Sequence, residues 1–203
     1  MKYLAIDTSG DYLAVVCKND DVVKFHFSKM PGVKHSVTLM PIIEEVAQNA
    51  NLNLKDADFF TSTTGPGSFT GIRIGVATIK GFADVYNKPV LPVTTLEVIA
   101  YTEIDKKRLC LIDAKHDHFY AQAFDGKTET FKASFIDKET VLSLSQNHKL
   151  LANGPIDGLL EDSVDIIKGL MGAVEDNLDR ISYDVDSLHP FYLRLSQAEE
   201  GRK

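Results

Sequence analysis

Apolar and polar positions divide the chain into short segments of two kinds. Residues 3–6 form a nearly continuous apolar run ending at Asp7, and residues 12–17 form another after Ser9, Gly10 and Asp11. Apolar runs this short, bounded by turn residues, predict buried strands. Residues 22–27 alternate instead, after the turn residues Asn19, Asp20 and Asp21, as a half-buried strand does. Over 37–50 and 70–86 the apolar period lengthens to that of a helix, and short apolar strands are expected at 57–61 and 90–93. The order β-β-β-α-β-α-β predicts a mixed sheet with helices packed on it.

The pattern then restarts. Ala5, Ile6 and Asp7, followed by Asp11, return without a gap as Leu111, Ile112 and Asp113, followed by Asp117. A second strand at 118–124, a turn at Asp125, Gly126 and Lys127, and a helix at 138–146 continue the parallel. A duplication predicts two similar lobes across a cleft. We expect a first lobe at 1–100 and a smaller one at 101–203, whose last residues dock back on the first. In outline this resembles the actin-like ATPase and sugar-kinase superfamily, an α/β class of two ribonuclease H-like lobes. There the first hairpin of each lobe cradles phosphate. The matching positions are Asp7, Thr8 and Ser9 in the first hairpin and Asp113 in the second. The first turn carries Gly10, whereas the second, Lys115-His116-Asp117, has no glycine to admit a phosphate. Equally, Asp7 and Asp113 fit strand-end carboxylates satisfied by local N–H groups.

Both helices of the first lobe carry more apolar surface than one sheet covers. On a helical wheel the charged Arg73, Lys80 and Asp84 fall in one sector, leaving an apolar or small-residue arc of roughly 220°. In 37–50 the apolar arc is about 160°, and Pro41 predicts a bend or a late start. A single buried face needs about 100°. The surplus points to a protein partner, with candidate interface residues Val37, Met40, Ile43, Ala47, Gly71, Ile72, Gly75, Val76, Ile79 and Phe82.

The loop that launches the second helix, Thr64 to Gly75, is dense in glycine and has Ser68 or Thr70 as a cap. It lacks the Lys-Ser/Thr that ends a phosphate-binding P-loop, because Ile72 and Arg73 follow Gly71. Pro66 and Thr70 flank Ser68 where a hydrolase elbow needs glycine, and the dinucleotide fingerprint is misspaced. The net charge of −7 disfavours direct binding of nucleic acid, whose affinity comes largely from phosphate neutralisation. No run of about 18 apolar residues is present to span a membrane. The N-terminus has no signal-peptide pattern, and Cys17 and Cys110 read as buried free thiols, so a cytoplasmic protein is expected. No two of the six histidines have the helical metal-pair spacing, and no nucleophile, histidine and acid set is recognisable.

LAIDTS at 4–9, HSVTLMP at 35–41, TGPGSFTGIRIG at 64–75, IDA at 112–114 and PFYLRLSQAE at 190–199 together resemble the bacterial TsaB (YeaZ) family along the whole chain. The chain departs from the family pattern at Lys115-His116-Asp117 and Asn153-Gly154-Pro155, which weakens any nucleotide site in the second lobe. The resemblance implies a role in making threonylcarbamoyladenosine, the modified adenosine 3′ of certain tRNA anticodons. It implies a non-catalytic scaffold that dimerises with the catalytic paralogue TsaD, works with the ATPase TsaE, and meets tRNA only through the complex. Alone it would form a homodimer. No cofactor or metal is implied for the chain itself, although an adenine nucleotide at the complex interface is compatible with the family. TsaD-like proteins carry an H-x-x-x-H metal pair where Thr95 and Ile99 stand here, and isoleucine cannot ligate a metal. The alternative readings are a small ATP-binding phosphotransferase or ATPase using Asp7 and Asp113, and a protease.

Overall fold

The computed structural model describes residues 1–29 and 35–194. The first sheet combines β1 (Lys2–Asp7), β2 (Tyr12–Asn19), β3 (Val22–Lys29), β4 (Phe59–Thr63) and β5 (Val90–Val93) in the order β3-β2-β1-β4-β5. β1, β2 and β3 pair antiparallel, whereas β4 joins β1, and β5 joins β4, in parallel. The second sheet repeats this plan in β6 (Arg108–Asp113), β7 (His118–Asp125), β8 (Thr128–Asp137) and β9 (Lys149–Ala152), ordered β8-β7-β6-β9. Again the first three pair antiparallel and the last is parallel. This is the expected mixed α/β class with two like sheets.

The repeat is less regular than its sequence implies. Asp7 pairs with Ala14, but Asp113 pairs with Phe119, so the second hairpin closes one residue tighter. A one-residue shift exchanges the faces of a strand. Phe119, Ala121 and Ala123 accordingly join Leu109 and Leu111 in one core cluster of the second sheet. The tighter turn is reached by placing Lys115, His116 and Asp117 in the left-handed region, at φ of 68°, 56° and 56°. β8 and β9 were not foreseen; β8 runs along an edge, with polar and apolar residues mixed.

Helices fill the space on both faces of each sheet. α1 (His35–Asn49) and α2 (Phe69–Tyr86) cover the outer face of the first sheet around Leu4, Ile6, Leu13, Val15 and Phe60. α1 starts before Pro41 and runs through it, with the ring at the exposed surface. α5 (Ile166–Asp176), from the far end of the chain, packs on the other face against Tyr3, Ala5, Ala14 and Val16. α3 (Thr95–Ala100) instead packs on the second sheet against Cys110, Ile112 and Phe124. α4 (Lys138–Ser145) closes that sheet's opposite face through Val141. The packing therefore crosses the expected division at residue 100: α3 serves the later sheet and α5 the earlier one.

Two polar devices, one partly and one wholly buried, fix the layer between the sheets. Thr94 and Glu97 form a reciprocal capping box at the start of α3, and Arg180 grips Glu97 with two guanidinium nitrogens, at 2.9 and 3.3 Å. Arg108 is 1% exposed and donates to the carbonyls of Ala100, Ile104, Lys106 and Gly126, with its guanidinium above Phe124. A buried cation is tolerable when most of its donors are engaged, as four of the five N–H groups of Arg108 are here.

Candidate functional site

Two places draw candidate residues together: the cleft between the hairpin tips and a groove between α1 and α2. In the cleft, Asp7 is fully buried at the end of β1. Its Oδ1 accepts from Ser9 N–H at 2.8 Å, Ser9 Oγ at 2.7 Å and Thr63 Oγ1 at 2.7 Å, and its Oδ2 accepts from Tyr12 OH at 2.9 Å. Burial pushes the Tyr12 phenol far above its ordinary pKa, which keeps it a donor. The carboxylate is thus enclosed by its own neighbours. Thr8 Oγ1 donates to the Gly71 carbonyl at 2.7 Å, and Ser68 N–H donates to the Ser9 carbonyl at 2.7 Å. The start of α2 is thereby laced onto the first hairpin. Ser68 is the cap, accepting from Gly71 N–H at 3.2 Å.

The second hairpin is arranged differently. Asp113 receives Lys115 N–H at 2.7 Å and Lys115 Nζ at 2.8 Å. Partial burial pulls the Asp113 pKa upward, but the bonds and charge of Lys115 outweigh it and hold the group below the usual carboxylate range. The same bond, and the charge of Asp113, raise Lys115. Between the tips lies a cleft of about 520 Å3, bordered by Gly10, Tyr12, Ser68, Asp113, Lys115 and Asn153.

The groove lies along α1 and α2 and measures about 600 Å3. Met40, Ile43, Ala47 and Phe82 line it, together with Leu52, Leu54 and Tyr86, while Glu44 and Gln48 form part of its rim. Val37 is 69% exposed and Met40 51% exposed on α1, and Val85 is 76% exposed on α2. The other candidates face inward. Ile72 and Ile79 are wholly buried, and Val76 nearly so, in the core against the first sheet. Gly71 and Gly75 abut the first hairpin: a Cβ on Gly71 would lie 1.9 Å from the Thr8 carbonyl oxygen, and one on Gly75 2.5 Å from Thr8 Oγ1. These five expected interface residues lie against the first sheet and its hairpin and are not among the residues that line the groove. The sheet, the hairpin and the first turn of α2 already consume that part of the apolar arc. Leu52, Leu54 and Tyr86 were missed because two of them follow the helix, where its periodicity has stopped.

Thr95 and Ile99 are both fully buried, and Ile99 lies in an apolar cluster that Leu193 packs against. These side chains do not suit a metal, and among the described residues no three His, Cys, Asp or Glu side chains are placed to hold one. His26 Nε2 and Ser28 Oγ meet at 2.8 Å on the edge strand β3, a pairing that no nucleophile motif in the sequence signals. From the C-terminal motif, residues 190–194 are placed on the first lobe's loop, Phe191 N–H donating to the Thr64 carbonyl at 2.7 Å; residues 195–199 lie outside the described residues. No helix among the described residues is long and apolar enough to cross a membrane.

Comparison with known proteins decides the family. The family model described as "TsaD: tRNA N6-adenosine threonylcarbamoyltransferase" matches residues 30–164, well over half of the chain. The chain belongs to this family, as a TsaB (YeaZ) member. It is 26% identical to the tRNA threonylcarbamoyladenosine biosynthesis protein TsaB of Bacillus subtilis (strain 168), over 98% of this chain and 96% of that protein. It is 32% identical to the protein of the same name from Escherichia coli (strain K12), over 59% of this chain. The chain spans about half the length of that relative, 53%. A crystal structure of a Pseudomonas aeruginosa protein, described as uncharacterized with similarity to peptidase YEAZ, has the same fold. Its TM-score is 0.75 at 22% identity, covering 95% of this chain and 99% of the other.

Proposed function

We propose that the chain takes part in tRNA threonylcarbamoyladenosine biosynthesis as a non-catalytic subunit that docks the TsaD-type transferase through the α1–α2 groove. The observation that carries this reading is the groove itself. It is an apolar trough with a partly polar rim on a chain related to both TsaB proteins and the transferase. A paralogous fold presents similar helices, so pairing of two such helix pairs buries like against like. The same surface supports a homodimer when the transferase is missing. The cooperation with TsaE, the contact with tRNA through the complex alone, and the cytoplasmic setting belong to this proposal as well.

Two further observations support a non-catalytic role. The enclosed Asp7 has its oxygens committed to four local hydrogen bonds. The positions of the transferase's metal pair hold Thr95 and Ile99, both without exposed surface.

Substitutions must fall on the exposed rim, because changes at Gly75 or Val76 would disturb the core rather than the contact. Val37→Asp and Met40→Lys place charge on exposed α1 positions and are expected to leave the melting temperature within a few degrees of wild type. Both should abolish co-purification with the transferase and the stimulation of modification in a reconstituted assay. Retention of both by a folded double variant would reject the docking assignment. Modification at full rate without this chain would reject the functional reading.

A further inference from the structure

The last described residues run across the boundary between the two sheets and are tied down along the way. Leu188 is fully buried in the core beneath α2. Phe191 N–H donates to the Thr64 carbonyl, on the loop leading into α2. The Tyr192 ring stacks on Phe69, with centroids 4.2 Å apart and planes 12° apart. Arg73 Nε donates to Tyr192 OH at 2.9 Å, and the guanidinium lies 5.5 Å from the centre of the Phe69 ring. Leu193 then packs on the cluster of α3 and the second sheet around Ile99, Cys110 and Ile112, and Arg194 sits over Phe135 of β8 at 5.0 Å. Within three residues the chain passes from the first turn of α2 to the far sheet.

That path adjoins the cleft. Ser68, the residue before Phe69, borders the cleft, and so does Tyr120, whose ring meets that of Phe135 beneath Arg194. Among the described residues the two sheets also meet through α3 and α5, which pack on opposite sheets and on each other, and Tyr12 reaches Asn153 across the cleft. A two-lobed body joined by a helical layer and bordered by a cleft opens by hinge or shear unless a second connection restrains it. We infer that residues 190–194 are a strap that sets the opening of the cleft, with the Phe69–Tyr192–Arg73 stack as its fastening on the first lobe and Leu193 and Arg194 as its fastening on the second.

The strap is held by aromatic and cation–π contacts at a partly exposed site, so it can be released without unfolding either core. Its loss should widen the cleft while leaving both sheets intact. This behaviour does not depend on any partner, so it stands or falls separately from the docking groove.

Double electron–electron resonance on the full chain tests the inference. Spin labels at Lys24→Cys and Glu139→Cys report the separation of the lobes from exposed positions on β3 and α4. The native thiols do not compete for label, since burial pushes Cys17 up to about 12 and raises Cys110 further still. In the Tyr192→Ala chain the distance distribution should shift to longer values and broaden, and in Arg73→Gln it should do so to a smaller degree. Tyr192→Phe, which keeps the ring stack, should stay close to wild type. Amide exchange provides the second measurement: residues 9–12 and 113–118 should exchange faster in Tyr192→Ala, with the centres of β1 and β6 unchanged. A distance distribution and exchange pattern in Tyr192→Ala identical to wild type would overturn the strap. Faster exchange throughout both sheets would overturn it too, by showing a general stability contact rather than a restraint on the cleft.

Discussion

At the scale of single residues, Asp7 and Asp113 occupy like positions at the ends of like strands and have opposite characters. Asp7 is enclosed and accepts hydrogen bonds from three neighbouring residues, whereas Asp113 is partly exposed and holds one lysine. Asp7→Ala strands the buried donors of Ser9, Thr63 and Tyr12, each worth about 1–3 kcal/mol when left unpaired. We expect a total loss of roughly 3 kcal/mol after relaxation, read as a lowered urea midpoint; a residue kept for ligand binding alone would leave that midpoint where it was. Asp113 makes a prediction in pH. Its folded pKa is depressed, so the pair with Lys115 contributes stability above the unfolded value of about 3.9 and loses it as pH falls through the folded value. Carbon-detected titration should find the Asp113 midpoint below that of an unstructured aspartate, and Lys115→Met should move it upward. A midpoint indifferent to Lys115→Met would show that the bond does not persist in solution.

At the scale of elements, α2 shows what hydrophobic periodicity conveys and what it leaves out. Its span, a cap at Ser68 or Thr70 and its surplus of apolar surface are legible, because each depends on neighbours along the chain; that Ser68 is the cap is seen only in the structure. The division of that surplus between sheet, hairpin and groove is not, because it depends on where β1 and the first turn arrive in space. Gly71 and Gly75 read as small residues that admit a second helix, and what they admit is the first hairpin. The groove was half legible: Met40, Ile43, Ala47 and Phe82 follow from the wheel, whereas Leu52 and Leu54 come from the connection after α1. Two alanine substitutions separate these environments. Alanine is intrinsically better than glycine in a helix by about 1 kcal/mol. Gly81 has nothing within 4 Å of the place a Cβ would take, so Gly81→Ala should stabilise by up to about 1 kcal/mol. Gly71→Ala drives a methyl into the Thr8 backbone and should destabilise by about 1–3 kcal/mol. Equal and favourable shifts of the two urea midpoints would mean that α2 does not seat on the hairpin as closely as 1.9 Å implies.

At the scale of the whole molecule, two like sheets border one cleft, and their hairpin tips present it with different side chains. A phosphate cradle needs close approach of ligand to backbone, which bare glycine turns permit. In the first hairpin the space beside Gly10 is taken by the Tyr12 ring, 2.3 Å from where a Cβ would sit. The Ser9 carbonyl is occupied by Ser68 N–H. In the second hairpin the turn is one residue tighter, has no glycine, and directs the ammonium of Lys115 to Asp113. A nucleotide entering the cleft would meet the Tyr12 ring packed beside Gly10 at one tip, and at the other Asp113 with its lysine already engaged. Calorimetry of the isolated chain with ATP and magnesium should therefore give only heats of dilution at ligand concentrations up to the order of 1 mM, where even a bond of about 4 kcal/mol would register. The asymmetry between the tips also ranks the variants. Lys115→Gly, with Asp113 intact, opens the second turn yet leaves the first one blocked, so it should remain silent. Binding by the wild-type chain that Asp113→Ala removes would instead restore the phosphotransferase reading, because it would place a working phosphate contact on a tip that is closed here by its own side chains.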